Sequence, residues 1–219
     1  MDNRKASSMK EYNLRNLLAD TRLIPVITLD KVEDAVPLAQ ALVAGGLNVL
    51  EITLRTEAAI AGIQQILQHV PEAIVGTGTV TTAEQVKLSE DIGCQFMISP
   101  GTTDTLISAA DKASIPLVPG ISTVSEMMRC MQYGYRDFKF FPAEAAGGTA
   151  LLKSIAGPFG DMNFCPTGGI GLHNVLEYLA LPNVMCVGGS WIAPAGLVRE
   201  KRWSAIEQLA CEAVALCRQ

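Results

Sequence analysis

Short apolar runs rich in β-branched residues recur along the whole chain, and stretches with helical spacing of apolar positions separate them. The runs cover residues 23–29, 48–54, 73–79, 96–101, 117–122, 137–143, 163–169 and 184–190, their starts about 20 to 26 residues apart. Helical patterns occupy 32–43, 57–69, 82–92, 103–113, 124–133, 174–180 and 203–216. Strands alternating with helices predict a parallel sheet with right-handed crossovers. Eight such units predict an α/β protein, a (β/α)8 TIM barrel, as one domain over residues 1–219. Residues 1–21 are predicted to form an extension with an extra N-terminal helix at 8–19. The competing architecture is an open doubly wound sheet. It lacks its signature: Gly76-Thr77-Gly78 has no third glycine opening a helix.

In a barrel, polar groups pointing inward near the C-terminal strand ends carry the chemistry. The second run alternates sharply. Leu50, Ile52 and Leu54 fall on one face, and Glu51, Thr53 and Arg55 on the other. The sixth run places Lys139 opposite Phe138 and Phe140. A lysine in bulk water is protonated and useless as a nucleophile. Desolvation and a nearby cation such as Arg55 both favour the free amine, which then attacks a ketone or aldehyde to form a Schiff base. Glu51 is the candidate acid/base for the proton transfers. The bland alternative is a structural ion pair between Lys139 and Glu51. Arg55 suits a bidentate grip on a carboxylate, with the Thr79 hydroxyl beside it, although a threonine at a strand end is often only structural. Gly168-Gly169 and Gly188-Gly189, the latter followed by Ser190, end the last two runs. Glycines there let the backbone approach phosphate oxygens at a helix start; two tight turns are the plainer reading.

Composition narrows the classes. Hydrophobic residues make up 49% and charged residues 18%, enough for a sizeable core and against wholesale disorder. The net charge is −5 with no basic run, which gives nucleic acid and anionic membranes no footing. The uncharged stretch 178–198 is long enough to span a bilayer, but Pro182, Gly188, Gly189, Pro194 and Gly196 punctuate it as strand, turn and helix start. No apolar targeting segment occupies the first twenty residues. The six cysteines show no paired spacing and read as reduced thiols in a cytoplasmic compartment. The two histidines, His69 and His173, are too few for a His-rich catalytic metal site.

With these residues assembled, the chain resembles the bacterial 2-keto-3-deoxy-6-phosphogluconate (KDPG) and 4-hydroxy-2-oxoglutarate (KHG) aldolases from about Arg22 to the C-terminus. The motifs, in order, are PVITL, ALVAGG, LEITLRT, GTGTV, ISPG, PGISTVSE, FKFFPAE, CPTGGI and GGSW. The resemblance implies a class I, metal-free lyase with no cofactor that cleaves the phosphorylated keto acid to pyruvate and glyceraldehyde 3-phosphate, and KHG to pyruvate and glyoxylate. By that analogy Lys139 forms the Schiff base and Glu51 transfers protons. Arg55 and Thr79 hold the pyruvate carboxylate, and Gly168, Gly169, Gly189 and Ser190 line the phosphate site. Thr167 matches the threonine that touches the substrate hydroxyl. It favours the gluconate over the galactonate enzymes, which carry an apolar residue there. The family also implies a homotrimer. Two departures bear on substrate range: Thr77 stands where GAGTV is usual, and Ala146 where asparagine is frequent. A phosphosugar isomerase or epimerase on the same barrel would leave Lys139 without a task. A non-catalytic phosphometabolite sensor would be marked by loss of Lys139 or Glu51, and both are present.

Overall fold

Residues 22–217 are described by a computed structural model. The helix predicted at 8–19 lies outside them. The strands are β1 (Leu23–Ile27), β2 (Val49–Thr53), β3 (Ile74–Gly78), β4 (Phe96–Ile98), β5 (Leu117–Val118), β6 (Gly120–Ile121), β7 (Asp137–Phe140), β8 (Asn163–Pro166) and β9 (Val187–Gly189). All their pairings are parallel. They form a six-stranded sheet, β5-β4-β3-β2-β1-β9, and a three-stranded sheet, β6-β7-β8.

The division into two sheets departs from the eight continuous strands predicted, and each break has a local cause. Pro119 separates β5 from β6; having no N–H, it interrupts the ladder within a single run. On one side Leu117 and Val118 pair with β4, and on the other Gly120 and Ile121 pair with β7. Between β8 and β9 only isolated parallel bridges form, Phe164 with Val184 and Thr167 with Gly188. The register there shifts by one residue, as at a bulge.

Helices follow the strands: α1 (Ala35–Ala44), α2 (Ala58–His69), α3 (Ala83–Asp91), α4 (Asp104–Ala110), α5 (Val124–Met131), α6 (Gly148–Ala156), α7 (Val175–Leu179), α8 (Ala195–Arg199) and α9 (Trp203–Cys217). Thr82, Thr103 and Thr123 cap three of them, each side chain accepting from the backbone N–H three residues on. At α5 the Glu126 carboxylate returns the bond to the Thr123 N–H and completes a capping box. Helix α6 has no side-chain cap, and both its N-cap Gly147 and its first residue Gly148 have positive φ, so its beginning carries no capping signal. The uncharged stretch 178–198 resolves into a helix end, β9 and the start of α8. Among the described residues no helix is long and apolar enough to cross a membrane.

Two apolar clusters lie on opposite faces of the strands. The larger includes Leu50, Ile52, Phe138 and Phe140 and packs against the helices. The smaller is Ile24, Val49, Phe96, Ile98, Val118, Cys165 and Cys186. Strand pairing puts Glu51 level with Gly76, and Gly76 level with Phe96; it puts Lys139 level with Gly120 and Cys165. Paired residues of parallel strands share a face, so Glu51 and Lys139 belong to the side of the smaller cluster. The missing side chain at Gly76 leaves the space that the Phe96 ring fills.

Candidate active site

On the smaller cluster's side, β2 and β7 bring their charged residues together. Lys139 Nζ donates to Glu51 Oε1 at 3.0 Å, and the two side chains are 3% and 1% exposed. The ion pair weighed as an alternative from sequence is therefore real in the resting protein. It also places a carboxylate within proton-transfer distance of the amine. The ammonium lies 5.5 Å from the centroid of the Phe141 ring, a cation–π contact. Glu51 is held by absence: any Cβ on Gly78 would collide with its carboxylate. The requirement for Gly78 was not legible in GTGTV, because it arises from the neighbouring strand.

The next residue, Thr79, has φ of 60°, an unusual conformation for a β-branched side chain and a local strain. It ends the strand's alternation and brings the Thr79 hydroxyl to Arg55, whose Nε donates to it at 2.9 Å. Arg55 is exposed and has no acidic partner among the described residues. Arg55 was expected to act on Lys139 as a neighbouring cation. It was also expected beside the Thr79 hydroxyl, which is its hydrogen-bond partner here, while the group bonded to Lys139 is Glu51.

Thr77, a suspected influence on substrate range, does not share a face with Thr79. Strand alternation turns it toward the helices, where it donates to Ser89 Oγ on α3 at 2.7 Å, whereas the positive φ at Thr79 breaks the alternation after Gly78 and redirects Thr79. Ala146, the other departure, packs against the larger core cluster. Thr53, two positions beyond Glu51, is fully buried and donates to the Ile27 carbonyl while paired with the Thr28 hydroxyl. A polar residue on the inward alternation was the signal for it.

The third group is the turn after β8. Gly168 and Gly169 have φ of 100° and 78°, conformations that favour glycine. Thr167 is buried, its hydroxyl has no hydrogen-bond partner among the described residues, and it lies against the Cα of Gly188. Gly189 closes β9 beneath the Trp191 ring, and Ser190 follows it, exposed. Phe141 spans the groups: its ring faces Lys139 and lies against Gly168. The sequence-predicted residues thus form a buried amine–carboxylate pair, a guanidinium–hydroxyl pair and a glycine turn. Below Lys139, a hydrogen bond with Cys165, then burial, pushes the Cys186 thiol well up and keeps it neutral. Among the described residues no group of three or more His, Cys, Asp or Glu could hold a metal ion.

Comparison with known proteins shows what the chain is similar to. The family model "KDPG and KHG aldolase" matches residues 14–209. The chain is 58% identical over 193 residues to a 2-dehydro-3-deoxy-phosphogluconate aldolase of Dickeya dadantii, covering 88% of this chain and 91% of that one. It is 53% identical over 199 residues to a KHG/KDPG aldolase of Escherichia coli K12, covering 91% and 93%. The KDPG aldolase of Legionella pneumophila, solved with pyruvate captured at low pH as a covalent carbinolamine intermediate, superposes with a TM-score of 0.89. It is 48% identical, over 90% of this chain and 96% of that one.

Proposed function

The chain belongs to the KDPG and KHG aldolase family, and we propose that Lys139 and Glu51 perform its chemistry. It is a class I aldolase, a lyase of phosphorylated and unphosphorylated 4-hydroxy-2-keto acids. The observation that carries the assignment of residues is the buried Lys139–Glu51 pair at 3.0 Å.

Glu51 takes a proton from the Lys139 ammonium, and the freed lone pair attacks the C2 carbonyl of the keto acid. Glu51 returns that proton to the oxyanion and then relays a second from the carbinolamine nitrogen to the hydroxyl, so water leaves and a protonated imine remains. The Phe141 face stabilises that cation as it does the ammonium. Glu51 then removes the proton of the C4 hydroxyl. The C3–C4 bond breaks, its electron pair flows into the imine, and the aldehyde departs. The resulting enamine takes a proton at C3, and water releases pyruvate and restores the lysine. Arg55 and Thr79 hold the carboxylate, and Thr167 receives the substrate hydroxyl. Gly168, Gly169, Gly189 and Ser190 surround the phosphate. The products are pyruvate with glyceraldehyde 3-phosphate from KDPG, in the Entner–Doudoroff pathway, or with glyoxylate from KHG.

We read the two sheets as one closed (β/α)8 barrel and one domain. Supporting this, β5 and β6 are one run interrupted at Pro119, and the bridges from Phe164 and Thr167 join β8 to the ninth strand's side. A homotrimer in the cytoplasm completes the reading, by kinship with the family.

Borohydride reduction with pyruvate, followed by peptide mapping, tests it. A reduced pyruvate adduct on the Lys139 peptide, absent in Lys139→Met, is the expected result. Cleavage without an adduct, and sensitive to EDTA, would overturn the Schiff-base assignment.

A further inference from the structure

The turn that carries Gly168 and Gly169 is braced from behind, and the brace reaches a buried tyrosine. The carbonyls of Thr167, Gly168 and Gly169 all have donors: Ala143 N at 2.8 Å, Glu144 N at 3.1 Å and Asn174 Nδ2 at 3.2 Å. Asn174 Oδ1 in turn accepts from Gly171 N at 2.9 Å. The parallel bridge of Thr167 with Gly188 ties the same turn to β9. The backbone oxygens of three consecutive residues are therefore held before any ligand arrives.

Glu144 is the centre of this backing. Its backbone holds Gly168, and its side-chain stem lies where a Cβ on Gly169 would stand, 2.6 Å from Cγ. Its carboxylate accepts a hydrogen bond from the Tyr178 hydroxyl, although the glutamate as a residue is exposed. Tyr178 is fully buried. It stands four residues after Asn174 along the same helical turn, so one face of α7 grips the glycine turn at two points.

We infer that Tyr178 and Asn174 are positioning residues for anion recognition: Asn174 fixes the turn directly, and Tyr178 fixes it through Glu144. The inference rests on the reading of the Gly168–Gly169 turn as the phosphate site. Two glycines at positive φ have many unfolded and alternative conformations to lose, and a held backbone meets the phosphate with that loss already incurred. The Tyr178 bond also fixes a carboxylate that would repel a phosphate if it swung across the turn. Burial, followed by the Glu144 hydrogen bond, pushes the Tyr178 hydroxyl above its ordinary value, so it remains a donor at neutral pH.

The test compares KDPG with KHG, which lacks the phosphate, in wild type and Tyr178→Phe, with inorganic phosphate as competitive inhibitor. The expected result is a rise of about tenfold in KM for KDPG with kcat held, an equal weakening of inhibition by phosphate, and a KM for KHG changed less than about twofold. Equal rises in KM for both substrates, or no change for either, would overturn it. If Tyr178→Phe does not fold, Glu144→Gln, which still offers Tyr178 an acceptor, should retain the preference for KDPG that Glu144→Ala loses; equal loss in both would overturn it. A wild type that is indifferent to inorganic phosphate and to the substrate's phosphate group would instead overturn the phosphate-site reading, and this inference with it.

Discussion

Lys139 and Glu51 are each other's counter-ion in a place with almost no solvent, and this shapes what their substitution does. Lys139→Met keeps the stem and removes the amine, so cleavage and pyruvate trapping both fall to background. It also leaves a buried carboxylate uncompensated, which costs about 3–5 kcal/mol where such pairs are broken from one side. The double variant Lys139→Met/Glu51→Gln is therefore expected to melt at a higher temperature than Lys139→Met alone; a lower one would mean that Glu51 has another partner. Glu51→Gln retains shape and hydrogen bonding but cannot carry the proton. Its kcat should fall by about 10²–10⁴, the range typical of a lost acid/base, while circular dichroism stays that of wild type. Turnover within tenfold of wild type would move the proton transfers to another group. At this scale the sequence was readable because alternation in LEITLRT and DFKFF points both side chains inward. The Thr79 hydroxyl could be expected beside Arg55, but not the positive φ that brings it there, which no residue in GTGTV marks.

The elements place these residues through what they omit as much as through what they contain. Gly78 gives Glu51 its room, as Gly76 does for Phe96. Gly78→Ala is expected to keep the secondary structure and lose most activity, since the new methyl must displace the carboxylate; unchanged kinetics would show that Glu51 can relocate freely. Away from the site, Thr123→Ala removes the side-chain acceptor from the α5 capping box. The cost is about 1 kcal/mol, which in a chain of this length lowers Tm by about 2–4 °C without altering kcat. Most strands and helices could be placed from periodicity alone. Helix α6 could not, since its start is a pair of glycines whose role is to turn the chain rather than to cap it. The break at Pro119 was visible as a residue, but the different neighbours of its two sides were not.

For the whole molecule, the cysteines report how completely the core is closed. Five of the six are buried and only Cys211 is exposed. Burial pushes the Cys94 thiol up to about 12 and the Cys130 thiol up to about 11. Because these values lie above the ordinary thiol value, the folded state favours the protonated form. The stability this provides is intact below the ordinary thiol pKa and is lost as pH rises through the folded values. Alkylation of the native protein at about pH 8 should thus label Cys211, with Cys94 and Cys130 reacting only after unfolding. Rapid native labelling of Cys94 would contradict the closed packing around it. Sedimentation at equilibrium checks the proposed homotrimer, with three chain masses as the expected result.

The sequence by itself determined the parallel α/β order, the inward placement of Lys139 and Glu51 and the glycine turns, because strand alternation, helix caps and glycine geometry act over a few residues. It could not determine contacts that join residues far apart in the chain. The 3.0 Å approach of Lys139 to Glu51, the space at Gly78 and the grip of α7 on the Gly168–Gly169 turn all depend on strand register and packing. Those are properties of the assembled core, where each side chain's position is set by neighbours that local sequence does not name.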